Sequence, residues 1–210
     1  MQLNDFRAVD LILGKQLTTT IGRNTTLRHE VLPEAMQQRL REYTQAGGAL
    51  LITGAYTLSD LWWSEGATED DRTFAEEVLH VTYSGTDTLA HRAVTPITLS
   101  TKRQSHTCLI GEVEFNTTLS SEIYAVEAVD VISPVGDEAH TILCYDNESS
   151  AAVAYAGNYR TIIVGFPFEA IADCDTRNRM MSKSLSFLLS KKRAPQSTDR
   201  RGSRRKKDRS

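Results

Sequence analysis

The stretch Gly47-Gly48-Ala49-Leu50-Leu51-Ile52-Thr53-Gly54 decides the fold. A glycine pair that can end a helix is followed by an apolar run without polar alternation, which is typical of a parallel strand buried on both faces. A second run of this kind, Ala8-Val9-Asp10-Leu11-Ile12-Leu13-Gly14, lies upstream and also ends in glycine. We therefore predict two buried strands.

The segment between these two runs predicts a helix. Pro33 fits the first turn of a helix, and the glycine pair stops it after Ala46. Three large apolar side chains have the spacing of one buried helix face: Met36, Leu40 and Tyr43. Strand, helix and strand then form a right-handed βαβ crossover.

The C-terminal part predicts a different connection. Residues 141–145, 151–155 and 161–166 are strand-like and are separated by short turns, which favours an antiparallel meander. A final helix follows, capped by Asp175 or Thr176 and ending near Leu189, with an apolar face of Met181, Leu185 and Leu188. The fold class is therefore α/β, with a mainly parallel sheet and an antiparallel C-terminal meander.

The remaining segments have weaker patterns. Residues 18–28 and 57–72 are polar and are interpreted as loops, and residues 73–79 as a short helix. Three short strand-like pieces cover residues 93–99, 108–115 and 125–132.

Charge divides the chain into two parts. The whole chain of 210 residues has a net charge of −3, but residues 191–210 hold ten Lys/Arg against two acids, a net of +8. Residues 1–190 therefore carry −11, which argues against a nucleic-acid surface on the folded part. We predict an α/β domain over 1–190 and an unfolded basic tail over 191–210, where weak binding to polyanions is a hypothesis.

Targeting and metal-binding signals are absent from the sequence. No apolar run is long enough for a transmembrane helix, and the N-terminal residues do not form a signal peptide, so the chain as written is expected in the cytoplasm. The cysteines Cys108, Cys144 and Cys174 form no CxxC pair. No two histidines have the i, i+4 spacing of a helical metal site, so we expect neither a metal nor a cofactor.

Ligands of open α/β sheets bind beyond the carboxyl ends of the strands. The strand over 49–53 ends at Gly54-Ala55-Tyr56, where a hydrolytic enzyme of this architecture would carry its nucleophile. Glycine and alanine cannot attack a substrate, and Tyr56 offers only a phenol. After the last strand, Gly165-Phe166-Pro167-Phe168-Glu169 contains no histidine to act as a base.

The pair Trp62-Trp63 is the most unusual local feature. Adjacent tryptophans close to a strand end can stack on a sugar ring or anchor a partner protein, while the structural alternative is that at least one covers the core. Asp60 and Glu169 are a second hypothesis, as an acid/base pair at the sheet edge. The ligand-binding candidates are Tyr56, Asp60, Trp62, Trp63 and Glu169; no catalytic and no metal-binding residue is predicted.

Several of these motifs together resemble a bacterial group of xanthan lyase-like proteins. The similarity rests on residues 9–16 (VDLILGKQ), residues 43–54 with their AGGALLITG core, residues 59–62 (SDLW), and two late strings, VAY at 153–155 and GFPFE at 165–169. It covers roughly residues 6–190. Members of this group are usually large secreted proteins with fibronectin type III or golvesin-type modules, and generally have a further strand and helix before the strand at Val9.

The resemblance implies the class I glutamine amidotransferase-like fold, a flavodoxin-like three-layer sandwich shared with ThuA-like domains. In amidotransferases a cysteine follows the strand that matches residues 50–53, and a His-x-Glu arrangement follows a late strand. Here Gly54, Ala55 and Tyr56 replace the cysteine turn, Pro167-Phe168 occupy the region of the histidine, and only Glu169 could match a triad member. The resemblance therefore implies the fold without its reaction.

These observations give three hypotheses for function. The first is a non-catalytic binding or structural domain, accessory to polysaccharide recognition or processing, with a carbohydrate or protein partner. The second is a carbohydrate-active lyase or hydrolase that uses carboxylates at the strand ends. A third, polyanion binding through residues 191–210, concerns only the tail.

Overall fold

The structure of the chain is a computed structural model that describes residues 2–15, 17–21, 23, 25–63, 66–87, 93–96, 112–116, 118 and 120–190. Four α-helices are described: α1 (Glu34–Gln45), α2 (Thr57–Trp63), α3 (Glu69–Phe74), which continues as a π-helical turn (Ala75–Leu79), and α4 (Cys174–Leu188). The strands among these residues are β1 (Ala8–Gly14), β2 (Thr18–Ile21), β3 (Thr25–Arg28), β4 (Ala49–Gly54), β5 (Val81–Asp87), β6 (Ala93–Pro96), β7 (Val113–Glu114), β8 (Val129–Pro134), β9 (Ala139–Tyr145), β10 (Ser150–Ala156) and β11 (Arg160–Val164).

The described strands form a mixed central sheet in the order β1-β4-β11-β10-β9-β6-β7. The pairs β1–β4 and β4–β11 are parallel, while β9, β10 and β11 are joined as an antiparallel meander. Two smaller antiparallel pairs, β2–β3 and β5–β8, lie outside this sheet. The predicted α/β class, the βαβ unit and the meander are confirmed.

Helices cover both faces of the sheet because β4 is apolar on both sides. All six residues of β4 are buried. Leu51 belongs to a core cluster with Met180 and Leu188 of α4, whereas Leu50 and Ile52 belong to a second cluster with residues of α1, α2 and α3. The continuous hydrophobic run of β4 is thus explained by burial between two layers of helices.

Helix α1 follows the predicted pattern closely. Pro33 is the residue before its first turn, and the helix ends at Gln45, after which Gly47 takes the left-handed conformation with φ 88°. Leu40 and Tyr43 are buried as predicted, and Met36 is partly buried.

Two predictions about local structure were wrong, and one strand was not predicted. Residues 18–28 are not a loop but contain the hairpin of β2 and β3, because β-branched threonines favour strands even when the segment is polar. Residues 57–72 are not a loop either, since they contain α2 and the start of α3. Strand β5 occupies a segment for which no strand was predicted.

The last helix begins earlier than predicted. Asp173, rather than Asp175 or Thr176, is the N-cap of α4, and its carboxylate accepts a hydrogen bond from the Thr176 N–H at 2.7 Å. The predicted face of Met181, Leu185 and Leu188 is right in part. Leu188 is buried and Met181 packs partly buried against the core, whereas Leu185 is 37% exposed and Met180 is buried instead.

Two groups of predictions fall partly or wholly outside the described residues. Of the three strand-like pieces, the described parts contain β6, β7 and β8, while residues 97–111 are not described. The tail at 191–210 is also not described, so its separation from the domain and its polyanion binding stay predictions. Within the described part of the chain, no helix is long and apolar enough to cross a membrane.

Candidate functional site

A groove of about 660 Å³ lies beyond the carboxyl end of β4. Four aromatic side chains line it, and they are Tyr56, Trp62, Trp63 and Tyr83. Its other described lining residues are Leu17, Arg28, Ser59, Asp60, Ser84, Gly85 and Thr86. Four of the five candidate residues predicted from sequence therefore line one cavity, whose volume falls in the range of small-molecule sites.

The turn from β4 to α2 places Tyr56 at this groove. Tyr56 has φ 62°, a left-handed conformation that is uncommon for a residue with a bulky side chain. The turn is tight and leaves no room for a side chain at position 54. A Cβ added to Gly54 would lie 2.8 Å from the Thr57 hydroxyl oxygen and 3.1 Å from the Gly14 carbonyl oxygen. The Ala55 N–H also donates to that carbonyl at 2.8 Å. A strained turn held from both sides is a common feature of functional sites.

The start of α2 is held by Asp130, which the sequence analysis did not single out. Its carboxylate accepts hydrogen bonds from the backbone N–H groups of Leu58 at 2.7 Å and Ser59 at 3.3 Å. Asp130 itself is completely buried in β8, and its N–H donates to the Gly165 carbonyl at 2.8 Å. The helix that carries both tryptophans is thereby fixed to the centre of the fold.

Burial makes Asp130 an unusual acid. It raises the pKa of this carboxyl to about 6, with a further contribution from the nearby charge of Asp60, against the opposing effect of the hydrogen bonds from the start of α2. An acidic residue inside the apolar run Ala128-Val129-Asp130-Val131-Ile132 is the sequence signal that marks it.

Asp60 is part of an ion pair rather than a free carboxylate. The Arg28 guanidinium lies 3.0 Å from its Oδ1, and the Val31 N–H donates to its Oδ2 at 2.8 Å. The Asp60 side chain is only 4% exposed, while that of Arg28 is 38% exposed. The pair joins the β2–β3 hairpin to α2 and forms one side of the groove.

The two tryptophans have different surroundings. Trp62 is partly buried, packs on the core cluster of α1 and α3, and its ring centroid lies 6.2 Å from that of Tyr83 at a tilt of 38°. Trp63 is 75% exposed. The structural alternative predicted from sequence thus holds for Trp62, whereas Trp63 is free to contact a ligand.

Glu169 lies in another environment, at the end of β1. The Tyr124 hydroxyl donates to its Oε1 at 2.7 Å. The same oxygen lies close to Gly14, since a Cβ added to that glycine would be 3.4 Å away. Burial and the charge of Glu169 together raise the pKa of Asp10. Glu169 is not among the described lining residues of the groove, so the geometry gives no support to a pairing with Asp60.

The described cysteines and histidines do not form a nucleophile–base pair at the strand ends. Cys144 and His140 both lie on β9, four residues apart, which is about 13 Å along an extended strand. His29 contacts the Thr19 hydroxyl, and His80 stacks on Tyr155. No group of three or more metal-binding side chains occurs among the described residues, and Cys108, His91 and His106 lie outside them.

No protein-family model matches the chain, and no curated protein matches it. Several solved structures are similar, and three of them are described here. The cytoplasmic protein STM3548 from Salmonella typhimurium shares 16% sequence identity with this chain at a TM-score of 0.53. The match covers 89% of this chain and 73% of STM3548. The exo-beta-1,4-mannosidase Op5Man5 from Opitutaceae bacterium strain TAV5 has 16% identity and a TM-score of 0.43, covering 74% of this chain. The mmIFT52 N-terminal domain shares 13% sequence identity at a TM-score of 0.45, and the match covers 90% of this chain and 80% of that domain.

These similarities concern the fold alone. The chain spans 23% of the length of the mannosidase. The match to STM3548 agrees with the α/β class seen in the sheet order. The chain is therefore a mixed α/β domain with an aromatic groove at the carboxyl end of β4.

Proposed function

We propose that the chain is a non-catalytic carbohydrate-binding domain, accessory to polysaccharide recognition or processing, whose ligand lies in the aromatic groove. The observation that carries this proposal is the exposure of Trp63, which leaves 75% of its side chain in water at the edge of a groove lined by three more aromatic rings. Large exposed aromatic groups with a polar surround mark binding sites because their burial by a ligand is favourable.

The chemistry of the lining suits a sugar. A pyranose ring presents apolar C–H groups on its faces and hydroxyl groups around its edge. Aromatic rings can cover the faces, while the exposed hydroxyls of Ser84 and Thr86 can exchange hydrogen bonds with the edge. The combination of rings and hydroxyls therefore favours a carbohydrate over a purely apolar ligand.

The finer fold assignment belongs to the same proposal. We assign the domain to the class I glutamine amidotransferase-like architecture, in which the turn after β4 is the nucleophile position. Gly54, Ala55 and Tyr56 stand there, and the left-handed φ of Tyr56 resembles the strained turn on which such enzymes carry a nucleophile. A phenol with a pKa raised by burial is a poor nucleophile, which supports binding without reaction.

The hydrolase or lyase alternative has weaker support from the geometry. A glycosidase needs two carboxyl groups that flank the bond to be broken. Asp60 is the one described carboxylate that lines the groove, and it is already paired with Arg28. A second carboxylate on the groove would have to come from outside the described residues.

A glycan array probed with the wild-type chain and with Trp63→Ala tests the proposal. Because Trp63 is exposed, its removal is expected to change the free energy of unfolding by less than about 0.5 kcal/mol. We expect specific glycan signals for the wild type and their loss in the variant. Leu185→Ala, which truncates a side chain on α4 that is 37% exposed, is the matched control and should bind normally. Absence of glycan binding by folded wild-type protein, or equal binding by Trp63→Ala, would refute the proposal.

A further inference from the structure

We infer that the ligand of the groove is a neutral oligosaccharide rather than an acidic one. This inference rests on the proposed function and adds the charge class of the sugar. Three observations support it: the pairing of the two charged side chains described in the groove, the carboxylates nearby, and the net charge of residues 1–190.

The two charged side chains among the described lining residues neutralise each other. Arg28 and Asp60 are in contact at 3.0 Å, and the other carboxylate oxygen of Asp60 already accepts the Val31 N–H at 2.8 Å. The arrangement therefore offers a ligand neither a free carboxylate nor an unpaired guanidinium. A carboxylated sugar would have to compete with Asp60 for Arg28, and would leave a buried carboxylate without its partner, which is costly.

The remaining polar side chains among the described lining residues are neutral hydroxyls. Those of Ser84, Thr86, Tyr56 and Tyr83 line the groove, whereas the hydroxyl oxygen of Ser59 is buried. Hydroxyl groups both donate and accept hydrogen bonds, so they can bind the hydroxyls of uncharged and charged sugars equally well. They give a charged sugar no ionic advantage that would offset its desolvation.

Nearby carboxylates make the groove unfavourable for anions. Burial, together with the charges of Glu127 and Asp130, raises the pKa of Tyr56, and burial with the charge of Asp130 raises the pKa of Tyr83. Negative charge therefore acts on both phenols. Residues 1–190 carry a net charge of −11, so the wider field acts in the same direction.

Calorimetric titration of the wild-type chain at low salt tests this inference. The neutral probes are cellohexaose, xylohexaose and mannohexaose, and the acidic probes are hexagalacturonate and a hyaluronan hexasaccharide. Only binding that Trp63→Ala abolishes is assigned to the groove, because the basic tail can bind acidic sugars itself. At the groove, we expect the best neutral probe to bind at least tenfold more tightly than either acidic one. Trp63→Ala should lose the binding.

The possible outcomes separate the two proposals. Equal or tighter binding of an acidic hexamer that is lost in Trp63→Ala would overturn the inference and leave the proposed function intact. Absence of binding by every probe, together with an empty glycan array, would overturn both.

A charge-adding variant gives a second test with little risk to folding. Ser84 is exposed at the groove, so Ser84→Lys places an unpaired cation there. Its affinity for hexagalacturonate should rise roughly tenfold at 20 mM salt and return to the wild-type value at 500 mM, because added salt screens an exposed charge. Ser84→Gln is the matched neutral control. Salt-sensitive binding of the acidic hexamer by the wild type that is lost in Trp63→Ala, or no gain in Ser84→Lys, would contradict the inference. Binding that Trp63→Ala retains belongs to another surface, such as the basic tail.

Discussion

Replacing Asp130 by asparagine should change how the stability of the domain depends on pH. The carboxyl is completely buried and its pKa is raised to about 6 from an ordinary value of 3.8. In the variant the side-chain carbonyl can still accept the Leu58 N–H, which in the wild type donates at 2.7 Å, but no charge can form there.

The magnitude follows from linkage between protonation and folding. A raised pKa means that the folded state holds the proton more tightly than the unfolded state, so this carboxyl is least unfavourable for folding below the unfolded pKa. Its effect becomes steadily more unfavourable as the pH rises towards 6 and is constant above about 7. A rise of the pKa from 3.8 to about 6 corresponds to about 3 kcal/mol in total. About 2 kcal/mol of this change falls between pH 4.5 and 7.5.

Urea unfolding at pH 4.5, 6.0 and 7.5 measures the effect. The free energy of unfolding of the wild type, minus that of Asp130→Asn at the same pH, should fall by about 2 kcal/mol from the lowest to the highest pH. Taking this difference cancels the titration of all other groups that the substitution leaves unchanged. If the two proteins have parallel pH profiles, the conclusion that a buried, ionisable carboxyl of β8 holds the start of α2 is refuted.

Three further predictions concern single positions in the fold. Asp173→Ala removes the N-cap of α4 and should lower the Tm by roughly 2–4 °C, whereas Asp173→Asn, which can still cap the helix, should lower it less; equal melting of both variants would contradict the cap. Gly165→Ala should reduce the free energy of unfolding in urea by about 1–3 kcal/mol, because the new methyl group would overlap the main-chain carbonyl of Asp130; an unchanged midpoint would show that this approach is not close. Trp62→Ala should lose about 2 kcal/mol of stability through its contacts with Tyr83 and the core, unlike Trp63→Ala, and two equally stable variants would contradict the different burial of the two rings.

The parts of the fold that the sequence predicts well are those with a local cause. The strand β4 and the helix α1 are recognisable because glycine, proline and apolar spacing act within a few residues of one another. The meander of β9, β10 and β11 is recognisable for the same reason, since two short turns determine its pairing.

The hairpin of β2 and β3 was missed because its polar, threonine-rich segment has no apolar face that periodicity could detect. Residues with branched side chains favour an extended backbone without any burial pattern. Pattern reasoning therefore assigned a loop where the structure has strands.

The candidate groove could be predicted only in part. Tyr56, Trp62 and Trp63 were found because of their types and their place after β4, and these signals are local. The contacts that position them are not local: Arg28 meets Asp60 across 32 residues, and Asp130 meets Leu58 across 72. Sequence spacing carries no information on such pairs, so the neutralisation of Asp60 and the fixing of α2 needed the structure.

The most direct test of the groove as the ligand site uses the indole N–H signals in a ¹⁵N-resolved NMR spectrum. The chain contains two tryptophans, so Trp63→Ala assigns both signals at once. Titration with the best neutral hexasaccharide should shift the Trp63 indole signal most and the Trp62 signal as well. A glycan that binds and shifts backbone signals while both indole signals stay unmoved would show that the ligand lies elsewhere on the domain.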